Sequence, residues 1–303
     1  MPLTIATFNV KNLLAARDDR QRAILPAKLD YVAAALRSCD ADVVGLQEVG
    51  PAELARAVRD RLPGDYGEPV LGTPDARGIR CALLSRVRVI EARVHTAEAL
   101  SFPVFAAGDP APFGARIPLR RGVVHALVEA PGVGQVHVLV VHFKSPRPVP
   151  ERDASGAAVE PRTARERAEG ALRGLVWRAA EALHVRGVVD AELSRDASAR
   201  VAVVGDMNDT PGSIVLRTLC GDGPGTLGAL MDCTTSAEPS ARFTVLHEGR
   251  RVQLDHVLAS ARLHERVESA RFENAALREH GATSADEEPT VDSDHAPVVV
   301  RFG

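Results

Sequence analysis

The sequence predicts one large α/β domain that spans residues 1–303. Short apolar runs bounded by glycine or polar residues are typical of buried strands, and longer segments carry apolar residues at helical spacing. The candidate functional residues come from both ends of the chain, so two independent domains would separate them. With 303 residues, 45% of them hydrophobic, the chain can bury a substantial core without disulfide support.

Predicted strands and helices follow one another along the chain. Apolar runs predict the strands, and apolar residues that recur on one helical face, such as Leu29, Val32 and Leu36, predict the helices. In chain order, we predict a strand from Leu3 to Phe8, a helix at 26–38, a strand at 42–46, a helix at 51–62, strands at 81–85, 87–94, 123–130 and 136–142, a helix at 162–184, a strand at 201–204 and a last apolar run that ends at Phe302.

Two long segments are predicted to be loops. Residues 96–121 are rich in proline and glycine, and they are either a solvated loop or a basic rim beside a phosphate site. Residues 145–163 are rich in proline, charge and small side chains, which is typical of an exposed loop. A long loop that leaves a candidate catalytic strand can act as a lid or as a rim that selects substrates.

The composition limits the possible partners and compartments. A formal net charge of −3 excludes a bulk polycation that coats nucleic acid, although it says little about a local patch. Most of the positive charge is arginine, which suits phosphate contacts, but a biased genomic composition is the favoured explanation for most of it. The four cysteines lack the short paired spacing of zinc sites, so we expect free thiols.

The chain starts directly with a predicted strand, and no basic and apolar leader precedes it. No apolar run approaches the length of a membrane span. We therefore expect a soluble, cytoplasmic protein without membrane insertion, and a monomer. A secreted protein from which the leader has been trimmed is the alternative.

Polar residues lie beside four of the apolar runs. They are Asn9 after the first run, Gln47 and Glu48 after the second, Asp206, Asn208 and Asp209 after the run at 201–204, and Asp294 and His295 before the last run. Binding and catalytic residues concentrate at such strand ends. The alternative for residues 206–209 is a simple turn that caps a helix near Pro211, for which Thr210 would be a suitable cap.

Six blocks of the sequence, taken in order, resemble the endonuclease/exonuclease/phosphatase superfamily, which includes deoxyribonuclease I. The blocks are Thr7-Phe8-Asn9-Val10, Leu46-Gln47-Glu48-Val49, Val141-His142-Phe143-Lys144-Ser145, Gly205-Asp206-Met207-Asn208, Leu254-Asp255-His256-Val257-Leu258 and Ser293-Asp294-His295-Ala296-Pro297. Each block alone is a weak signal, but the six blocks occur in the order of the family and together span nearly the whole chain. The resemblance implies a four-layer α/β sandwich, in which two packed, mostly antiparallel β-sheets are flanked by helices.

The resemblance also implies a metal site. The residue that matches Glu48 is the main metal contact in the family, and the residues that match Asn9 and Asp294 stand beside it. These side chains offer only oxygen ligands, which suit Mg²⁺, with Mn²⁺ as the alternative, rather than zinc.

The catalytic roles that the family implies fall on five further positions. His295 faces the phosphate and is oriented by Asp255, Asp206 aligns or deprotonates the attacking water, and Asn208 hydrogen-bonds the phosphoryl oxygens. His142 protonates the leaving group or binds phosphate, but no carboxylate partner can be assigned to it.

Two basic residues are candidates for contact with the substrate phosphate. Arg116 is the closest match to a family arginine ahead of the strand at 123–130, and Lys144 follows His142; a solvated loop is the alternative for both. Histidines without a motif are interpreted as structural or surface residues, namely His95, His125, His184, His247, His264 and His280, and His137 is interpreted as structural.

The resemblance implies a phosphoesterase that uses a divalent metal and in-line attack of water on a phosphodiester. DNA is the favoured substrate, because the blocks resemble those of the bacterial nuclease-like branch of the family. The low aromatic content of 4% argues against extensive base stacking and keeps a small-molecule or phospholipid phosphoesterase as the alternative. A catalytically inactive binding module is less favoured, because every matched position holds a chemically competent residue.

Overall fold

The strands form two six-stranded mixed sheets. The computed structural model describes residues 2–110, 112–113, 116–221, 228–280 and 290–303. The first sheet contains β1 (Leu3–Leu13), β2 (Val43–Val49), β3 (Val70–Leu71), β4 (Arg80–Ser85), β15 (Val267–Phe272) and β16 (Val298–Phe302). The second sheet contains β5 (Arg88–His95), β6 (Val123–Ala130), β7 (Gly134–His142), β10 (Val201–Asp206), β11 (Leu230–Asp232) and β14 (Asp255–Ser260).

The two sheets have the same topology. Their strand orders are β15-β16-β1-β2-β4-β3 and β11-β14-β10-β7-β6-β5. In each sheet the two central strands are parallel, β1 with β2 and β7 with β10, and the other described pairs are antiparallel. Along the chain, β1 and β2 of one sheet therefore correspond to β7 and β10 of the other, and β1 faces β10 across the sandwich.

Helices cover the outer face of each sheet. The helices are α1 (Asp19–Cys39), α2 (Ala52–Arg59), α3 (Ala164–Arg195), α4 (Ile214–Cys220) and the short α5 (Ala261–His264). Apolar residues of α1 and α2 pack on the first sheet, and those of α3 and α4 pack on the second. A third apolar cluster joins the inner faces of the two sheets. The predicted four-layer sandwich is confirmed.

Where the two sheets meet, the approach is close. A Cβ atom added to Gly45 of β2 would lie 2.9 Å from a methyl carbon of Val204, so only glycine lets β2 and β10 pack at this distance. Because one layer of apolar side chains fills the space between the sheets, the polar ends of the central strands are held at one edge of the sandwich.

Several predicted boundaries differ from the observed ones. α1 begins at Asp19 instead of residue 26, because the Asp18 side chain caps it by accepting a hydrogen bond from the Gln21 backbone; Pro26 lies inside the helix. α3 continues to Arg195, eleven residues beyond the predicted end at 184, because Val185 and Val189 extend its buried face.

The predicted loop at 145–163 contains a small hairpin of β8 (Glu151–Arg152) and β9 (Ala158–Val159). A second hairpin pairs β12 (Val245–His247) with β13 (Arg250–Val252).

All four cysteines are free thiols, as predicted. Within the described ranges, no helix combines the length and the apolar character needed to cross a membrane.

The N-terminus of α3 carries a capping box, and a substitution there should have a measurable cost. Thr163 Oγ1 accepts a hydrogen bond from the Glu166 backbone, and the Glu166 carboxylate accepts one from the Thr163 backbone. We expect Thr163→Ala to lower the free energy of unfolding by about 1 kcal/mol in urea titrations. Thr163→Ser keeps the hydroxyl and should behave like the wild type; equal losses in both variants would contradict a capping role.

Candidate active site

The two sheets deliver polar side chains to one point. Asn9 lies near the end of the regular part of β1, and Asp206 is the last residue of β10 in the other sheet. The Asn9 amide nitrogen donates a hydrogen bond to Asp206 Oδ2 at 2.9 Å, and both side chains are buried. The ends of β1 and β10 therefore meet across the sandwich.

Glu48 is placed by an irregularity in the first sheet. The pairing of β1 with β2 is regular as far as Asn9 and Gln47 and then shifts its register. Glu48 takes a left-handed conformation with φ 63°, which is uncommon for a residue other than glycine. Its carboxylate accepts hydrogen bonds from the Asn12 backbone at 2.8 Å and from the Asn9 side chain at 3.3 Å. Such local strain is typical of functional sites.

Asp294 and His295 lie in the turn ahead of β16, and hydrogen bonds tie this turn to β1. Ser293 Oγ donates to the Asn9 carbonyl at 2.7 Å and accepts from the His295 backbone at 3.1 Å. Asp294 Oδ2 accepts a hydrogen bond from the Lys11 ammonium group at 3.0 Å. Burial would raise the pKa of Asp294, but the positive charges of His295 and Lys11 outweigh this effect and lower it.

His295 is held between two buried carboxylates. Its Nδ1 lies 2.7 Å from Asp255 Oδ2, and its Nε2 lies 3.9 Å from Asp206 Oδ2. Burial alone would lower the pKa of His295, but the negative charges of Asp255 and Asp206 raise it to about 10. The ring is therefore a cation at neutral pH. Burial raises the pKa of Asp206 to about 7, although the charge of His295 opposes the shift. Asp206 can thus gain and lose a proton near neutral pH.

His142 and Asn208 complete the group on the second sheet. The only described carboxylate within ion-pair distance of His142 is Asp206, whose Oδ2 is 3.4 Å from His142 Nε2. Nδ1 of the same ring is buried without a hydrogen-bond partner among the described residues. Burial, together with the charges of Arg121 and His295, keeps the pKa of His142 well below its usual value, so the ring is neutral. The Asn208 amide nitrogen donates to the Phe143 carbonyl at 3.0 Å.

These side chains line a cleft of about 300 Å³. The side of the cleft near His142 is strongly cationic, because Arg77, Arg120, Arg121, Lys144 and Arg147 all contribute to its lining. Glu48 and Asp294 supply negative charge to the same cleft. Among the described lining residues, the imidazoles of His142 and His295 are the only aromatic rings.

Arg121 is fixed in the cationic wall by contacts on both sides. One of its terminal nitrogens lies 3.3 Å from Asp75 Oδ2, and the other donates to the His142 carbonyl at 3.2 Å. Lys144 points its ammonium group at the carbonyls of Ser145 and Arg147, at 2.7 and 2.8 Å. Burial, followed by the charges of nearby arginines, lowers the pKa of Lys144 to about 8.

The structure brings most of the predicted site residues into one cleft, but not Arg116. The lining includes Glu48, His142, Lys144, Asp206, Asn208, Asp294 and His295, while Asn9 and Asp255 lie directly behind it through their contacts with Asp206 and His295. Arg116 is exposed and donates to the Phe113 carbonyl at 3.3 Å, and it does not contribute to the described lining of the cleft. The cited contacts of Arg116 therefore give no support to its predicted phosphate contact.

The cleft is also lined by residues that were not predicted to belong to the site, among them Lys11, Asn12, Arg77, Arg120 and Arg121. Arg121 was detectable in principle, because it is the arginine nearest to the start of β6 at Val123. The same holds for Lys11 and Asn12, which lie two and three residues after Asn9 at the polar end of the first apolar run. No comparable signal marks Arg77, which a turn between β3 and β4 brings to the site.

The donor atoms near Glu48 fit a magnesium ion. Glu48 and Asp294 offer carboxylate oxygens, Asn9 offers an amide oxygen, and water and substrate would complete the shell of a hard cation. The ammonium group of Lys11 already lies against Asp294, so a positive charge is stabilised at this end of the cleft. When bound, the metal would polarise a phosphoryl oxygen and stabilise the charge on the leaving oxygen.

A second set of groups, Asp206, Asp255 and His295, also has ligand atoms within 4.8 Å of one another. We assign this set to proton handling rather than to a metal. Asp255 Oδ2 already holds the His295 ring at 2.7 Å, and Asp206 Oδ2 already accepts from Asn9. Loss of these hydrogen bonds would leave buried polar groups without partners, which is costly.

The protein is a two-sheet α/β sandwich with one polar cleft. The cleft combines an Asp-His pair, an acidic corner of oxygen ligands and a basic wall, and these features together define its class. The family model described as "Endonuclease/Exonuclease/phosphatase family" matches residues 6–295. The chain belongs to this family, whose members are phosphoesterases and as a rule depend on a divalent metal.

Solved structures share the fold at low sequence identity. Truncated TDP2 from Caenorhabditis elegans is 16% identical with a TM-score of 0.61, and the match covers 99% of this chain and 97% of that one. A family member from Bacteroides vulgatus is 16% identical with a TM-score of 0.61, covering 100% and 99%. The mannosyl-6-phosphatase Bt3783 of Bacteroides thetaiotaomicron is 18% identical with a TM-score of 0.59, covering 98% of each chain. No curated protein sequence matches significantly.

Proposed function

We propose that this protein is a magnesium-dependent phosphoesterase that hydrolyses phosphodiester bonds, with DNA as its first candidate substrate. The observation that carries the proposal is the meeting of Asp206, Asn208 and His295 with the acidic corner of Glu48 and Asp294 in one cleft. Manganese would fit the same oxygen donors.

Each protein group has a role in the proposed reaction. Asp206, whose pKa burial raises to about 7, accepts a proton from the attacking water. The His295 cation, which Asp255 holds in place at 2.7 Å, donates a hydrogen bond to the phosphoryl group and stabilises its charge. One N–H of the Asn208 amide donates to the Phe143 carbonyl, and the second N–H is the donor for a phosphoryl oxygen. His142 is neutral and buried beside Asp206, and it binds the phosphate, since a neutral imidazole can donate a hydrogen bond but has no spare proton for the leaving group.

The basic wall supports a polyanionic substrate. Although the formal net charge of the protein is −3, arginines and lysines concentrate on the His142 side of the cleft. A local positive potential of this kind attracts a phosphate backbone through electrostatic steering. The scarcity of aromatic rings in the described lining favours contacts with phosphates over stacking on bases.

A phosphomonoesterase acting on a small molecule is the second candidate. A cleft of about 300 Å³ is at the small end of the range for ligand sites and suits one compact phosphorylated molecule. A mannosyl-6-phosphatase is among the proteins of similar fold. The residues that would process a monoester are the same as those that would process a diester.

The experiment that tests the function compares supercoiled plasmid with a panel of phosphomonoesters, sugar 6-phosphates included. Wild type with Mg²⁺, wild type with chelator, and Asp206→Asn with Mg²⁺ are assayed in parallel. We expect nicking of the plasmid in the first sample only. If the plasmid stays intact and phosphate is released from a monoester, the nuclease proposal is wrong and the phosphomonoesterase proposal is supported. Absence of turnover on every substrate, with Mg²⁺ and with Mn²⁺, would contradict the phosphoesterase.

A further inference from the structure

We infer that the protein has a second metal site, outside the cleft, in which His125, His137 and Glu192 bind a zinc ion. One ligand atom from each of these residues lies within 4.8 Å of the others. The two histidines stand on the neighbouring strands β6 and β7, and Glu192 lies in the last turn of α3. The site therefore connects the outer face of the second sheet with the helix that covers it.

A row of three histidines crosses this face of the sheet. His95 Nε2 lies 3.0 Å from His125 Nδ1, and His125 Nε2 lies 2.9 Å from His137 Nδ1. The three residues belong to β5, β6 and β7, which are neighbours in the sheet, and the ring centroids are 5.2 and 5.1 Å apart. Three aligned imidazoles on successive strands are not needed for sheet packing, where apolar side chains would bury better.

Two imidazole nitrogens and one carboxylate oxygen form a donor set that zinc prefers in proteins, and water would take the fourth position. This donor set differs from the all-oxygen corner of Glu48 and Asp294, which suits a harder ion. In a tetrahedral zinc site, neighbouring ligand nitrogens are about 3.3 Å apart, given bonds of roughly 2.0 Å. The observed distance of 2.9 Å between His125 Nε2 and His137 Nδ1 has to widen only slightly.

His125 and His137 are both neutral, as a metal-binding imidazole must be. Burial, followed by the charges of His137 and His95, lowers the pKa of His125 to about 4, and burial also lowers the pKa of His137. In the zinc-binding tautomers, His125 carries its proton on Nδ1 and donates it to His95 Nε2, while His137 carries its proton on Nε2. Binding thus requires a tautomer change of His137 but no loss of a proton.

The surrounding residues hold the ligands in place. In this tautomer His125 Nδ1 donates to His95 Nε2, and such a hydrogen bond from the second ring nitrogen fixes the orientation of a metal-bound imidazole. Arg195 donates to Glu192 Oε1 at 2.7 Å, and Arg93 lies 3.5 Å from the same oxygen. Both contacts use Oε1, so we assign Oε2 to the metal. A cavity of about 380 Å³ between β5 and α3, lined in part by His95, His184 and Glu192, provides the entry path.

The proposed zinc site is separate from the cleft. His137 lies five residues before His142 along β7, so the two sites are roughly 17 Å apart at the usual rise of an extended strand. A metal that joins β6, β7 and α3 would stabilise the layer contact without touching the reacting phosphate. Its loss should therefore affect stability much more than turnover.

The experiment measures zinc binding to the full protein in excess Mg²⁺, by competition with a chromophoric chelator, together with the thermal unfolding midpoint. We expect one tightly bound zinc per chain, a higher midpoint with zinc, and the visible spectrum of a tetrahedral site when Co²⁺ replaces zinc. His137→Ala and Glu192→Gln should remove this binding. His95→Ala should weaken it by about 10-fold or more, through loss of the supporting hydrogen bond. His247→Ala, at an exposed position of β12, is the matched control and should bind like the wild type.

Phosphoesterase turnover with Mg²⁺ should be nearly unchanged in His137→Ala, which separates this site from the cleft. Anomalous scattering at the zinc edge in crystals of the wild type should place the ion between His125, His137 and Glu192. Zinc that His137→Ala and Glu192→Gln still bind, or scattering located only in the cleft, would overturn the inference. The histidine row would then be a hydrogen-bonded structural element.

Discussion

His295→Gln is expected to lower the turnover number by about 10²- to 10³-fold, the usual range when a preorganised donor to a developing charge is removed. The reason is the charge of the ring, since Asp255 and Asp206 raise the pKa of His295 to about 10 and keep it cationic at neutral pH. Glutamine can donate a hydrogen bond but carries no charge. The measurement is steady-state turnover on the substrate that the plasmid and monoester assays identify.

Loss of the cation will also affect stability, and a double variant separates the two effects. In His295→Gln the buried Asp255 carboxylate loses its charged partner, which typically costs about 3–5 kcal/mol. Asp255→Asn in the same chain removes the orphaned charge and should restore most of the stability without restoring turnover. His264→Ala, in the short helix α5, is the control for histidine replacement. Near-normal turnover in the double variant would show that the ring has no catalytic role.

A second large loss of stability is expected from Gly205→Ala. Gly205 has φ 146°, which L side chains rarely adopt, and an added Cβ would lie 2.0 Å from the Val141 carbonyl oxygen. The clash is with the backbone of the neighbouring central strand, so it cannot be relieved by a side-chain rotation. We expect a loss of about 3 kcal/mol in the free energy of unfolding. Urea titration with circular dichroism measures this loss.

The matched control for this substitution is Gly187→Ala. Gly187 lies within α3, and a Cβ there meets no atom within 4 Å. Alanine should stabilise the helix by up to about 1 kcal/mol, so the two glycine variants should move in opposite directions. A Gly205→Ala variant as stable as the wild type would show that β10 and β7 do not approach each other as closely as described. Turnover should fall in Gly205→Ala as well, because the clash displaces the adjacent Asp206.

The sequence was sufficient for the strands and for the order of the polar blocks, because both signals are local. A buried strand such as β10 is a continuous apolar run, and its polar end at Asp206 is visible without any knowledge of the fold. The start of α1 was missed because its first turns are largely exposed and carry no apolar stripe. The end of α3 was missed because buried polar residues such as Arg186 and Glu192 interrupt its apolar face.

The remaining features could not be predicted because they depend on contacts between residues far apart in the sequence. The shared topology of the two sheets is invisible in the sequence, because equivalent strand ends carry different residues. Asn9 of β1 corresponds to His142 of β7, and Gln47 of β2 corresponds to Asp206 of β10. The basic wall depends on how loops fold over the strand ends, so a loop residue such as Arg77 could not be assigned to it from the sequence. The histidine row was overlooked for a similar reason, since β5, β6 and β7 bring together residues that have no common motif.

The topology of the first sheet has a consequence for folding kinetics. Its central strand β1 pairs with β16, in a register that places Leu3 opposite Phe302, so nearly the whole chain must fold between the two partners. The second sheet is built from strands within residues 88–260 and has more local pairings. Proteins dominated by pairings of high sequence separation fold slowly, because loop closure costs entropy before the contacts form. We expect the second sheet to form first in refolding. The contacts of Asp206 with Asn9 and His295 should form only in the slowest phase, when the first sheet is complete.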